Sequence, residues 1–396
     1  MIKYLKLNHL KIGRITLSQF YICVCITVQS CTTSPELFLI RSYLGIPGTE
    51  NIIQSEKKRD DESRSFPIET NEIPKNIIFV IADGLGIGQL TLMYYNTPNF
   101  APADFTHVGL MTVHPSPPRK VSDSANTATS MATGVKTHRG GIGVNERDEP
   151  VKTVLEFAEE KGMLTGLTAT SSIAHATPAS FAAHIDKRSK YEEIALQMAQ
   201  SDVDVMLGGG IVHFDGEPQK YFLNKGGKII YDLNSETDYS LPLLGLFADK
   251  HLKSAEEDRE VETIEMAKLA IHLLSKNPDG FFLMIEESQV DFAGHANNSE
   301  YMSAELQSLN TVLRYCLEFQ KKNPDTLVLF TADHETGGMA VEDTKEGDLD
   351  IQFTTGHHTA NMIPVFALGP GAEAFSGIYD NTDIGKQLIY FIQQHK

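Results

Sequence analysis

Continuous apolar runs alternate along this chain with stretches where apolar residues return every three or four positions. The runs are Asn76–Ala82, Leu164–Ala169, Asp204–Leu207, Phe281–Ile285, Thr326–Phe330 and Pro364–Leu368. A run with no wet face predicts a strand buried on both sides, as in a parallel sheet. Val151, Val154, Leu155 and Ala158 fall on one helical face, and Gly162 closes it. Val261–Ser275 and Tyr301–Lys321 also read as helices. Residues 211–258 alternate poorly and read as loops with a small substructure. Strands and helices in alternation predict an α/β fold, a mostly parallel central sheet with helices on both faces. No internal repeat is visible.

The informative polar residues follow the runs. In such sheets ligands bind beyond the carboxyl ends of the strands. Asp83 closes the first run, and Gly84, Gly86 and Gly88 behind it have the wrong spacing for a dinucleotide fingerprint. His175 and Thr177 stand two apart after the second run, on one side of the chain if it is extended there. Glu286 and Glu287 end the Phe281–Ile285 run, and Asp291 and His295 follow four apart, on one face of a helical turn. Asp333 and His334 follow Thr326–Phe330, and His358 precedes the last run. Oxygen and imidazole donors without a thiolate suit zinc and magnesium. So many carboxylates point to two or three cations, since each cation offsets the repulsion between acids. Two metals about 4 Å apart can clamp the attacking and leaving oxygens of an in-line displacement.

The stretch Val121–Thr137 supplies what could react. It holds Asp123 and Ser124, then small residues and a closing Gly134. Alone, this is an Asp-Ser cap on a small-residue helix. Beside the acids and histidines, Ser124 reads as a nucleophile in a first helical turn, where free N–H groups and the dipole favour an oxyanion or a phosphate. That combination suggests phosphoryl transfer through a covalent phosphoserine. Arg188 is the natural bidentate partner for the phosphate.

The chain has 396 residues, 41% hydrophobic and 22% charged, enough for one large domain or two smaller ones. Residues 1–30 read as a signal peptide, with a basic start (Lys3, Lys6, Lys11, Arg14) and an apolar Ile15–Val28 too short to span a membrane. Val28-Gln29-Ser30-Cys31 resembles a bacterial lipobox, in which Cys31 would carry lipid; a plain secretory signal is the alternative. Either reading sends the protein to the periplasm or cell envelope. Only Cys316 would then remain beside Cys31, so no intrachain disulfide is available. Residues 31–74 read as a tether or N-terminal arm, and 75–396 as the catalytic domain. Losing residues 1–30 removes four positive charges and no negative one, taking the net charge from −18 to −22. Such a chain is a poor nucleic-acid binder, and a phosphate site in it needs metals or a focused arginine.

In this order the motifs resemble those of the alkaline phosphatases. They are Asp83-Gly-Leu-Gly86, Asp123-Ser124-Ala125, His175-Ala-Thr-Pro178, Arg188, Glu286, Asp291-x-x-x-His295, Asp333-His334 and His358-Thr359, spread over residues 75–370. The resemblance implies hydrolysis of phosphate monoesters. Ser124 would become phosphorylated and Arg188 would grip the phosphate. Asp291, His295 and His358 would hold one zinc, and Asp83, Asp333 and His334 a second. A magnesium would sit on Asp83, Thr177 and Glu286, with His175 as a neighbour of that third site. A homodimer is implied as well.

Three departures matter. His175 stands where many bacterial members carry aspartate, Phe292 where lysine or histidine is expected, and only 23 residues separate His334 from His358, too few for the crown insertion of animal enzymes. A compact member with a more open site is implied. The alternatives are a phosphodiesterase or sulfatase of the same superfamily, or an exported phosphate-binding protein without turnover. Against a sulfatase, Ser124-Ala-Asn-Thr-Ala lacks the Cys/Ser-x-Pro-x-Arg setting of a formylglycine precursor.

Overall fold

The computed structural model describes residues 66–233, 239–257 and 259–395. The signal segment, Cys31 and most of the 31–74 stretch lie outside them. Its centre is a sheet of ten strands: β1 (Asn76–Ala82), β2 (His107–Thr112), β3 (Leu164–Ser172), β4 (Val205–Gly209), β5 (Lys228–Ile230), β6 (Leu243–Leu246), β7 (Phe281–Glu287), β8 (Thr326–Thr331), β13 (Ile363–Leu368) and β14 (Gly377–Asp380). Four short strands, β9 (Glu335–Thr336), β10 (Met339–Asp343), β11 (Leu349–Phe353) and β12 (His358–Thr359), form two small antiparallel pairs beside it. The large sheet is ordered β14-β2-β13-β8-β1-β7-β3-β4-β6-β5. Every neighbouring pair in it is parallel except those made by β13.

The continuous apolar runs become the sheet's middle. Ile77–Ala82, Phe281–Glu287 and Thr326–Thr331 are buried along their length. Helices cover the sheet in two groups. One contains Ile87–Asn96, Thr263–Leu274 and Ser299–Lys322; the other contains Ser124–Thr133, Val154–Glu160, Ala176–Ala182 and Asn381–Gln394. The arrangement is the expected α/β one.

Two local expectations need correcting. The Val151 helix starts at Val154, because Thr153 caps it with a reciprocal bond to Glu156. Residues 211–258 are more than loops: β5 and β6 extend the main sheet at one edge. Their three and four residues are too short to show a period. Residues 66–74 lie against the body, where the backbone of Ile68 exchanges hydrogen bonds with the Gln387 side chain at 2.7 and 3.0 Å.

Candidate active site

The order of the central strands assembles the site. β8, β1, β7 and β3 are parallel neighbours, so their carboxyl ends open on one edge. Asp83 follows β1, Glu286 and Glu287 end β7, Ser171 and Ser172 end β3, and Asp333 and His334 follow β8. All of these acids, and His334, are buried. Helix Gln289–Ala296 then brings in Asp291 and His295, the expected single helical face.

Ser124 is the first residue of helix Ser124–Thr133. The Asp123 carboxylate caps that helix by accepting the Asn126 N–H at 3.1 Å. All ten helix residues are buried, though the sequence shows no apolar stripe. Their hydroxyls satisfy themselves on the backbone, Ser130 on Asn126 O at 2.8 Å and Thr133 on Thr129 O at 2.7 Å. Gly385 of the C-terminal helix lies so close that a Cβ there would come within 2.4 Å of Gly134 N. The Ser124 hydroxyl donates to Asp83 Oδ2 at 3.4 Å, and its Oγ lies 3.3 Å from His334 Nε2.

Among the described residues, three groups of side chains could each hold a cation, with their donor atoms mutually within 4.8 Å. They are Asp291, His334 and His358; Asp83, Asp333 and His334; and Asp83, His175 and Glu286. His295 stands beside the first, its Nε2 3.1 Å from His358 Nε2 and 3.4 Å from Asp291 Oδ2. His175, expected only as a neighbour of the third site, is close enough to be part of it. Thr177 lies in the first turn of helix Ala176–Ala182, with His175 at its cap, rather than in an extended loop. Its hydroxyl is buried without a hydrogen-bond partner among the described residues.

The chemistry of these groups fits metal ions. Asp83 Oδ1, Asp333 Oδ2, Glu286 Oε1 and His175 Nδ1 are buried and have no hydrogen-bond partner among the described residues. Leaving such atoms without a ligand would cost free energy. Burial, then Asp333, Asp291 and Glu286, holds the Asp83 carboxyl well above its usual range. Burial and then Asp291 push Asp333 up to about 6, and burial pushes Glu286 up to about 7. Asp291 goes the other way: burial is outweighed by His358, His334 and His295, and its pKa falls. Burial and then His358 hold His334 well below its usual range, so it is neutral, as a ligand must be.

The outer contacts orient the imidazoles. His295 Nδ1 lies 2.8 Å from Gly356 O and His358 Nδ1 lies 3.0 Å from Ser122 O. A carbonyl only accepts, so each Nδ1 carries the proton and each Nε2 lone pair is free for a cation. Thr336 donates to Asp291 Oδ1 and Ser171 to Glu286 Oε2 at 3.3 Å. Arg188 NH1 is 3.6 Å from Asp123 Oδ2, and its NH2 donates to His175 Nε2 at 3.0 Å. Arg188 thus sits between the helix carrying Ser124 and the third group.

The alkaline phosphatase family profile matches residues 74–349. The chain belongs to the alkaline phosphatase family. It is 32% identical to alkaline phosphatase 3 of Bacillus subtilis over 81% of this chain and 89% of that one. It is 30% identical to the alkaline phosphatase of Escherichia coli over 78% and 84%. The solved alkaline phosphatase of the Antarctic bacterium TAB5 superposes with a TM-score of 0.77 at 36% identity, covering 82% of this chain and 99% of that one. A histidine variant of the TAB5 enzyme was solved with magnesium in its M3 site.

As an alkaline phosphatase, the protein is a hydrolase of the same class as these relatives. Sequence reasoning missed several residues around its site. Thr336 and Ser171 act one contact away from the donors. His251 accepts the Ser172 N–H at 3.1 Å and meets the rings of His175 and Phe292 edge-on, at 5.5 and 5.1 Å. Arg259 binds Glu305 through both carboxylate oxygens at 2.6 Å and Glu287 at 3.2 Å, behind β7. None of these has a spacing signal, because the partners lie far apart in the chain.

Proposed function

We propose that this alkaline phosphatase hydrolyses phosphate monoesters through a phosphoserine on Ser124, with two zinc ions and a magnesium in the three groups. One observation carries the reading: the Ser124 hydroxyl lies 3.4 and 3.3 Å from Asp83 and His334, the two residues that each belong to two candidate cation groups. When bound, the metals lower the pKa of a coordinated hydroxyl or water and neutralise charge on the transferred group.

The chain's own residues do the rest. Asp291, His295 and His358 hold the first zinc, Asp83, Asp333 and His334 the second, and Asp83, Thr177 and Glu286 the magnesium, with His175 at that third site. The helix beginning at Ser124 turns its free N–H groups and positive end toward the phosphoryl oxygens. Arg188 leaves His175 to take two of those oxygens side by side. Ser124 Oγ bonds to phosphorus as the bond from phosphorus to the ester oxygen breaks; the serine proton passes to water, and the departing oxygen takes a proton from water. A water molecule then attacks phosphorus, the bond to Oγ breaks, Oγ regains a proton and inorganic phosphate is released.

Phe292 separates this site from one with a cation at that position. Its ring lies edge-on to His175 at 6.3 Å. Phe292→Lys is expected to lower the inhibition constant of inorganic phosphate about 3- to 10-fold, the value of one partly exposed charge contact. Equal inhibition constants for variant and wild type would remove Phe292 from the account.

Export through residues 1–30 and lipidation at Cys31 belong to the same proposal, supported by the basic start, the short apolar stretch and the lipobox-like Val28-Gln29-Ser30-Cys31. Among the described residues no helix is long and apolar enough to cross a membrane. A homodimer is also proposed. Exposed Ile87, Tyr94 and Tyr95 on helix Ile87–Asn96, with Met362, give it an apolar surface.

The substrate class is tested with the zinc- and magnesium-loaded protein on an aryl phosphate monoester, the matching diester and the matching sulfate at mildly alkaline pH. Faster turnover of the monoester is expected. Preference for the diester or sulfate would overturn the substrate class, and no turnover at verified metal content would favour a binding protein.

A further inference from the structure

Glu335 is a buried carboxylate one residue beyond His334, 2% exposed. Among the described residues no lysine, arginine or histidine forms an ion pair with it. Its partners are neutral donors, two from distant segments and one four residues along its own. Oε1 accepts the Gln89 side-chain amide at 3.0 Å and the Met339 N–H at 3.2 Å. Oε2 accepts the Thr359 hydroxyl.

Both distant segments reach a proposed metal ligand. Thr359 follows His358, and the two-residue strands pair so that Thr359 faces Glu335 and His358 faces Thr336. Gln89 also accepts the Gly86 N–H at 3.0 Å and donates to Thr336 O at 2.7 Å, holding the turn that follows Asp83. That turn is pressed onto Glu335: a Cβ on Gly86 would lie 2.3 Å from Glu335 Cγ. Thr336 itself donates to Asp291. The packing sets the spacing of the imidazoles, with the rings of His334 and His358 stacked 3.6 Å apart between centroids.

We infer that Glu335 is a positioning residue for both zinc groups: its carboxylate clasps the His358 strand, the turn after Asp83 and the chain after His334, fixing the distance between the two centres. A carboxylate suits this place because it can accept three hydrogen bonds and has none to give. Partners one contact behind the ligands typically change metal affinity 10- to 100-fold when removed.

The inference rests on the two-zinc reading, and its test separates the two. Zinc affinity is measured by chelator competition on the full-length protein and on Glu335→Ala, Glu335→Gln and Thr359→Val. Cobalt-substituted absorption spectra report the coordination of each centre. Glu335→Ala is expected to bind zinc about 10- to 100-fold more weakly and to change the cobalt spectrum. Glu335→Gln should stay within about 3-fold of wild type, because its amide can face Thr359, whose hydroxyl can accept as well as donate. Thr359→Val, which releases only the His358 arm, should weaken one zinc and spare the other; it serves as the decisive variant if Glu335→Ala does not fold. Wild-type affinity and spectrum in Glu335→Ala, equal loss in the Gln and Ala variants, or equal weakening of both zincs in Thr359→Val would each overturn the clasp. Wild type taking up no zinc would instead bring down the two-zinc reading itself.

Discussion

Ser124→Ala is expected to lower kcat for an aryl phosphate monoester at least about 10³-fold, the scale of losing a nucleophile that acts with its activators as one unit. The fold should not suffer. Alanine is a good helix residue, and the Asp123 cap on Asn126 does not involve the Ser124 side chain. The hydroxyl's own contacts, at 3.3 and 3.4 Å, are long and contribute little stability. Zinc and magnesium content should therefore stay at wild-type levels, and KM should move far less than kcat. Steady-state kinetics with metal analysis on the same sample decides it. A loss below about tenfold would mean that water attacks the ester directly at the metal cluster.

Metal removal carries the second large effect. With chelator at mildly alkaline pH, turnover should vanish and Tm should fall on the order of 15–20 °C, given about 4 kcal/mol for each of three sites held a thousandfold above its Kd. The effect depends on pH, and its sign follows from the buried acids. Asp83, Asp333 and Glu286 have raised folded-state pKa values, the latter two at about 6 and about 7. A group raised in the folded state contributes stability below its unfolded value, near 4, and loses it as pH rises through the folded value. The metal-free protein should therefore lose stability between about pH 4 and 7. The metal-loaded protein should not follow, because cations favour the ionised acids, so the Tm gap should widen over that window. Asp291, whose pKa is lowered, contributes above its unfolded value and is lost on the acid side of the window. Thermal melts of both forms at pH 5 and pH 8 measure the gap. A gap that stays constant would show that these acids are not the metal ligands.

The strands that place the site were legible because they are buried on both faces. Asn76–Ala82, Phe281–Glu287 and Thr326–Thr331 lie inside the sheet, so an uninterrupted apolar run was their only option, and the acids at their ends stood out. Strands toward the two ends of the sheet left no such mark. Lys228–Ile230 and Leu243–Leu246 are too brief for a period, and His107–Thr112 mixes buried and exposed positions beside β13.

The helix carrying Ser124 was misleading in another way. It is buried all round through small side chains whose hydroxyls bond back to the backbone, a solution with no apolar stripe. An extended loop does not describe His175 and Thr177, because the chain turns helical at Ala176 and leaves His175 at the cap. Glu335 could not be found from spacing at all. Its partners Gln89 and Thr359 lie 246 and 24 residues away, and only the closed fold brings them together.

The most direct test of the account is to trap the covalent intermediate. The zinc- and magnesium-loaded protein is mixed with an aryl phosphate monoester, quenched in acid within the first turnovers, digested and mapped by mass spectrometry. The account predicts one added phosphoryl group on the peptide containing Ser124, lost on a chase at alkaline pH and absent from the Ser124→Ala protein. Turnover of the monoester with the phosphoryl group on another residue, or with no labelled peptide under any quench, would contradict it.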